Sequence, residues 1–311
     1  MRGKGIISYM VIIILVAVCS SANACSSSAG GMDRYIAGAR LTQKPVLEYN
    51  GVSVTPQRWY VKEAEEGGLT RPAAVEIEFL AENQSEQPVS VFHYLLYING
   101  QHTTHALMSE ARDIPPGGSK TWTIEIEEFF LQEQRIKTID DFEIVFNLRF
   151  GEDKSAYYSE PVPVLAEKKN RDGLFPLEEQ VAYEDEYLSI STSSVFREFP
   201  GAYVIPVHVR NLSADRIILL NGRITAINGK TVEEGSPLDM DGSCMLFPGK
   251  TADINSIVYI KTEDEAGQLP LEDIKNLTLQ IMSGIIQRDN VTGDLGKIER
   301  RDSVDISIQI K

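Results

Sequence analysis

Histidine and cysteine are the side chains best suited to metal or nucleophilic chemistry, and this chain has few of either. The histidines are His93, His102, His105 and His208, and the cysteines are Cys19, Cys25 and Cys244. His102-Thr103-Thr104-His105 is the one pair with metal-like spacing. On a helix, that spacing would put both rings on one face. Directly after Asn99-Gly100 a strand or loop is expected instead, and there positions i and i+3 face opposite ways. No cysteine nearby completes a site, and the matching region of the second half, 232–235, holds no histidine. These histidines are therefore expected on exposed loops, and no metal or other cofactor is assigned. Cys244 has no basic neighbour in sequence to make it a thiolate, so the expectation is a small buried apolar residue.

Carboxylates offer the other route to chemistry. Asp239-Met240-Asp241-Gly242-Ser243 is similar to the start of a calcium loop, but that pattern requires Gly at its sixth position and Glu at its twelfth. Cys244 and Lys250 stand there, leaving at most a weak surface calcium site at Asp239 and Asp241. The acidic pairs Glu127-Glu128, Asp140-Asp141, Glu178-Glu179 and Glu233-Glu234 fit solvated faces, and nothing selects one as an acid/base couple. Gly-x-Ser-x-Gly, the phosphate-binding loop, His-Glu-x-x-His and the dinucleotide fingerprint are all missing. The expectation is a protein that is not an enzyme. Aromatic residues cluster more suggestively: Trp59, Tyr60, Phe92, Tyr94, Tyr97, Trp122, Phe129 and Phe130. Most are expected in a core, and any left exposed would form a carbohydrate- or protein-binding surface.

Composition narrows the partners. The chain has 311 residues, 30 Lys+Arg and 45 Asp+Glu, for a net charge of −15. A nucleic acid needs a basic footprint, so it is excluded as a partner. The hydrophobic fraction of 42% supports packed cores, and the length suits two domains.

Residues 1–24 have the form of an export signal. Arg2 and Lys4 precede an apolar run from Ile6 to Val18, shorter than the roughly 20 residues of a membrane-spanning helix. Ala22-Asn23-Ala24 satisfies the small-x-small cleavage rule, and Cys25 follows. The arrangement resembles the lipobox of bacterial lipoproteins, although the usual Leu three residues before the Cys is replaced by Ala22. The resemblance implies that Cys25 is lipidated and anchors the protein to the outer side of the cell membrane. Cys19 is a rival anchor after the poorer Val18, and simple secretion after Ala24 is the alternative to lipidation. The run Ser26-Ser27-Ser28-Ala29-Gly30-Gly31 suits a flexible tether, expected to continue to residue 42.

From residue 43 onward the chain repeats itself. The strand 76–83, ending in Asn83-Gln84-Ser85, matches 204–211, ending in Asn211-Leu212-Ser213. Tyr97-Ile98-Asn99-Gly100 matches Ala226-Ile227-Asn228-Gly229, and Asn-Gly between apolar runs is a strong hairpin signal. Pro116-Gly117 matches Pro248-Gly249, each introducing a new strand. Ile139, Phe142, Ile144 and Phe146 fall on Ile274, Leu277, Leu279 and Ile281 at one constant offset. Offsets change only where loops lie, as expected for duplication. The four Asn-x-Ser/Thr sequons, at Asn83, Asn211, Asn276 and Asn290, are assigned to turn chemistry.

Alternation with a period of two at 75–80, 142–149 and 304–311 predicts antiparallel strands with one buried and one wet face. Short helical turns are expected at 127–134 and 262–265. The fold class is therefore all-β, with two tandem immunoglobulin-like sandwiches: domain 1 at 43–166, a charged linker at 167–176, and domain 2 at 177–311. The layout is similar to the tandem immunoglobulin-like lipoproteins of Firmicutes. That likeness implies a non-enzymatic, lipid-anchored surface protein that binds or scaffolds, with an envelope protein or glycan as partner. The alternative is an accessory recognition subunit of an envelope enzyme or transporter.

Overall fold

The computed structural model describes residues 31–64, 72–103, 110–151, 155–168, 173–176, 179–193, 197–199, 202–231, 244–258, 275–288 and 295–309. Strands dominate, and the fold is all-β, built of antiparallel sheets. A short helix α1 (Asp33–Ile36) leads into β1 (Leu47–Tyr49), β2 (Val52–Lys62), β3 (Ala74–Asn83), β4 (Val89–Ile98), β5 (Gln101–Thr103), β6 (Glu110–Ile114) and β7 (Ser119–Glu127). Helix α2 (Glu128–Glu133), β8 (Phe142–Phe150), β9 (Ser155–Tyr158) and β10 (Val162–Pro163) complete the first unit. One sheet runs β1-β2-β3-β7. The facing sheet centres on the β4·β8 pair, with β5 and β6 against β4 and with β9 and β10 against β8.

The second unit follows the same plan with β11 (Glu179–Glu184), β12 (Leu188–Ser193), β13 (Arg197–Phe199), β14 (Ala202–Asn211), β15 (Ile217–Ile227), β16 (Lys230–Thr231), β17 (Cys244–Leu246), β18 (Thr251–Val258), β19 (Asn276–Arg288), β20 (Leu295–Arg300) and β21 (Val304–Gln309). Its order β11-β12-β14-β18 repeats β1-β2-β3-β7. Its β15·β19 pair carries β16 and β17 on one side and β20 and β21 on the other, as β4·β8 carries its four. The long β2 corresponds to β12 plus β13, since both pair with β14.

Matching residues do matching work. Asn99 and Asn228 take φ of 54° and 49°, followed by Gly100 at 79° and Gly229 at 76°, giving the left-handed pair a two-residue hairpin requires. The side-chain Oδ1 of Asn99 accepts from the backbone N–H groups of Asp140 and Asp141, and that of Asn228 from Lys275 and Asn276. Each hairpin is thus clamped to the strand across from it. Asn83 and Asn211 are fully buried. The Nδ2 of Asn83 donates to the carbonyls of Gln87 and Ile114, and its Oδ1 accepts from the N–H and hydroxyl of Ser85. Asn211 does the same with Arg216, Leu246 and Ser213. At both positions the Asn-x-Ser motif is therefore a structural latch between the two sheets.

The first core joins Val75, Ile77, Phe79, Ile144, Phe146 and Leu148 between the sheets, with Trp122 stacked on Phe79 at 5.3 Å. Two expectations need correcting here. Residues 32–41, expected within the tether, belong to this core: Met32, Tyr35, Ala39 and Leu41 are buried, and Leu41 bridges to Leu165. The Ser/Gly composition ends at Gly31, and the apolar residues after it have a sheet end to cover. The outer face of β8, expected wet, is also partly dry, as is that of the neighbouring β4. Leu95, Tyr97 and Val145 lie in the second core, with Ile190, Val207, Val209 and Leu246. They are covered because the second unit packs on that face. The turn expected at 127–134 is α2, whereas 262–265 lies outside the described residues.

A parallel contact joins the units, with Gln101 opposite Thr251 and His102 opposite Ala252. It fuses the β4·β8 sheet with the β14·β18 sheet into one sheet of eleven strands among the described residues. This parallel pairing covers the edge of β5 and the first two residues of β18.

Candidate functional site

The fold brings together side chains that the sequence kept far apart, and most of them meet where the two units join. The carboxylate of Asp253, on β18, lies between an imidazole and a guanidinium. Its Oδ1 is 2.6 Å from His208 Nδ1, on the neighbouring β14, and its Oδ2 accepts from Nε and Nη2 of Arg135 at 3.1 and 2.9 Å. Arg135 belongs to the first unit, where it follows α2 with φ of 57° and also donates from Nη1 to the carbonyl of Phe175. Burial alone would push the Asp253 carboxyl up, but His208 and Arg135 hold it below the ordinary carboxylate value. The Nε2 of His208 is buried without a partner among the described residues.

Tyr97 is the second link. It is fully buried, its hydroxyl donates to the carbonyl of Met245 at 2.9 Å, and it accepts from the N–H of Phe247 at 3.3 Å. Burial pushes this phenol well above its usual range. The ammonium of Lys250 pairs with Glu143 and lies over the Tyr97 ring at 5.3 Å. The N–H of Thr251 donates to the carbonyl of Gly100. The linker is held as well: Lys168 pairs with Asp141, and the carbonyl of Gly173 accepts from Lys137 and Asn99.

His102 corrects the expectation of an exposed loop histidine. It is buried in β5, tilted against the Tyr97 ring, with Nδ1 3.7 Å from Cys244 Sγ. The parallel pairing of β5 with β18 draws it inward. A thiol beside an imidazole could form a nucleophilic pair, but burial pushes the Cys244 thiol up to about 12, so it stays protonated and unreactive. Native protein treated with iodoacetamide at pH 7.5 is therefore expected to leave Cys244 unmodified, with labelling only after denaturation. Peptide mass mapping reads this directly, and labelling of the native thiol within minutes would contradict its burial.

The other sequence-derived candidates divide cleanly. His105, Asp239, Asp241, Cys19 and Cys25 lie outside the described residues. Among the described residues, no three His, Cys, Asp or Glu side chains gather as a metal cluster. No helix among them is long and apolar enough to cross a membrane. Of the aromatics, Trp122 is in the core, Tyr97 is in the junction, Phe92 lies under Arg149, and Tyr94 is half-exposed, edge-on to Tyr158. Sequence reasoning missed Arg135 and Asp253, which are 118 positions apart and carry no motif.

One cleft of about 640 Å³ opens at the end of the first unit far from the junction. Tyr49 and Tyr157 stack at 3.6 Å and 12°, with Phe150 tilted against Tyr49, to form its aromatic wall. Gln84, Glu86 and Gln87, from the β3–β4 loop, supply the polar side. The β1–β2 turn passes close to that loop: a Cβ at Gly51 would sit 3.0 Å from the backbone nitrogen of Ser85. These aromatics are on none of the clusters singled out in the sequence. Tyr49 and Tyr157 are isolated residues that only the strand pairing brings together.

No known protein family matches the chain, nor does any curated protein. Among solved structures it is similar to the exo-β-D-glucosaminidase CsxA, described as inhibited by a glucosamine-configured castanospermine and an amino-australine analogue, with 13% identity and a TM-score of 0.23, over 66% of this chain and 24% of that one. The exo-chitosanase CsxA of Amycolatopsis orientalis gives 12% identity at the same TM-score and coverage. The chain thus spans about a quarter of the length of these enzymes, and a likeness this slight carries no argument about its activity.

Proposed function

We propose that this protein is a lipid-anchored, non-enzymatic module of the bacterial cell surface that binds or scaffolds at the envelope. The observation that carries the reading is the junction. A continuous sheet, a buried tyrosine and an Arg135–Asp253–His208 cluster hold two copies of one sandwich in a fixed relation. Fixed geometry between two units suits presentation of a surface at a set height and angle. The ionisable groups gathered at the junction neutralise one another, and its thiol is protonated, which favours a mechanical role for these residues over a reactive one. The strand order of each unit supports the immunoglobulin-like assignment: a sheet of β2-β3-β7 faces one of β9-β8-β4-β5.

The anchor reading rests on Cys25 and on the short spacer. With Met32 packed in the core, only residues 26–31 separate Cys25 from the folded body. Fully extended, they reach about 20 Å. Two acyl chains on one cysteine anchor firmly, whereas one binds only marginally. Metabolic labelling with a palmitate analogue is expected to mark the wild-type protein and to fail for Cys25→Ala. Labelling that persists in that variant and disappears in Cys19→Ala would move the anchor. Absence of label from the wild type would overturn lipidation.

A further inference from the structure

We propose that the cleft beside Tyr49 and Tyr157 is a binding site for a neutral oligosaccharide, which deepens the binding role proposed above by naming its ligand class. A pyranose has an apolar C–H face and a rim of hydroxyl groups. It therefore needs an aromatic surface for the one and planar amides or carboxylates for the other. The cleft supplies both. Tyr157 and Tyr49 form a stacked wall, and Gln84, Glu86 and Gln87 line the same cleft. Its volume of about 640 Å³ accommodates two or three sugar rings and lies within the usual range for ligand pockets. The charge of the lining selects against anions. Among the described residues, no lysine, arginine or histidine lines the cleft, and Glu86 does. Phosphorylated or uronic ligands would meet repulsion from the Glu86 carboxylate.

The duplication provides an internal comparison. The N–H of Gln84 donates to the carbonyl of Gly51, and the N–H of Leu212 donates to the carbonyl of Tyr187. Gly51 and Tyr187 therefore occupy equivalent places in the two units. Where the first unit has a glycine with φ of 81° and a cleft, the second has a tyrosine ring. Over that ring, at 4.9 Å, lies the guanidinium of Arg301, fixed in turn by Asp185 at 2.7 Å. The second unit fills this corner with its own aromatic–cation stack, and the first leaves it to a ligand. The two ends also differ in placement. The N-terminal segment docks at the opposite end of the first unit, where Tyr35 accepts from Ile139 and Arg34 pairs with Glu128. The cleft therefore faces away from the point where the chain enters the fold.

Isothermal titration of the full chain with cellotetraose, N-acetylated chitotetraose and maltotetraose tests the assignment. At least one is expected to bind with a dissociation constant below about 1 mM. Tyr157→Ala is expected to weaken that binding about tenfold. The double variant Gln84→Ala/Glu86→Ala, confined to exposed loop positions, is expected to do the same without touching the core. Failure of all three sugars to bind at about 10 mM would overturn the proposal. So would binding that survives both variants, or equal binding of polygalacturonate. Palmitate labelling does not involve the cleft, so a failure of sugar binding and a failure of anchoring are separately visible.

Discussion

Replacing Asn83 or Asn211 by alanine is expected to destabilise the protein by about 3–5 kcal/mol. Each side chain is fully buried and makes four hydrogen bonds, one of them to a fully buried carbonyl, that of Ile114 or Leu246. Alanine would leave two carbonyls without their donor and one N–H without its acceptor. An unmet buried group costs about 1–3 kcal/mol. The backbone around each asparagine depends on the same point. Asn83 N–H donates to Gly118 and its carbonyl accepts from Gly117, and Asn211 is bonded likewise to Lys250 and Gly249. Aspartate is no substitute, because it removes both amide donors and buries a charge between carbonyl oxygens. Equilibrium unfolding in guanidinium chloride measures the effect. A loss below about 1 kcal/mol at both sites would show that the latch is dispensable.

The second large effect is expected at Asp253. Asp253→Ala leaves Arg135, whose side chain is 21% exposed, and His208, which is 9% exposed, facing one another without the anion between them. Removing one partner of a buried ionic cluster costs about 3–5 kcal/mol. Because Arg135 belongs to the first unit and His208 to the second, the loss falls on the contact between units. The variant is expected to unfold in two steps where the wild type unfolds in one. The pH dependence has a definite sign. The Asp253 carboxyl is held below its unfolded value, so the folded state binds fewer protons than the unfolded state between the two values. Its contribution is present above the ordinary carboxylate range and is lost as pH falls through it. Asp185, lowered by Arg301 and by the N–H groups of Tyr187 and Leu188 against the desolvation that raises it, adds in the same direction. Unfolding midpoints measured from pH 6 down to pH 3 are expected to fall more steeply in the wild type than in Asp253→Asn. Parallel slopes would remove Asp253 from this role.

Much of the fold was legible because local chemistry fixed it. Asn-Gly pairs allow few backbone choices, alternating apolar residues reveal a strand, and equal offsets expose a duplicated register. Leu277, Leu279 and Ile281 are buried, as are Phe142, Ile144 and Phe146, as the constant offset between them required. The junction was not legible, because it is made by partners over a hundred residues apart. One trace was present in the sequence. Tyr97 and Val145 stand at outward positions of strands whose wet face should be polar, and an apolar residue there signals a covered face. The tether's limit was missed because Met32, Tyr35 and Leu41 are too sparse to form a period. Their burial depends on the sheet end they cover. The cleft was invisible for a different reason: Tyr49 and Tyr157 gain meaning only from the β1, β8 and β9 pairings that align them.

The two units are expected to form one body of fixed geometry, joined through the β5·β18 contact. Spin labels at Lys120→Cys and Lys230→Cys, both exposed and one in each unit, report on it directly by pulsed electron–electron resonance. With Cys19 and Cys25 replaced by serine and Cys244 buried, the labels report only these two positions. The expected result is one narrow distance distribution in the wild-type background, broadened by Asp253→Ala. A broad or multi-peaked distribution in the unmodified junction would contradict the account.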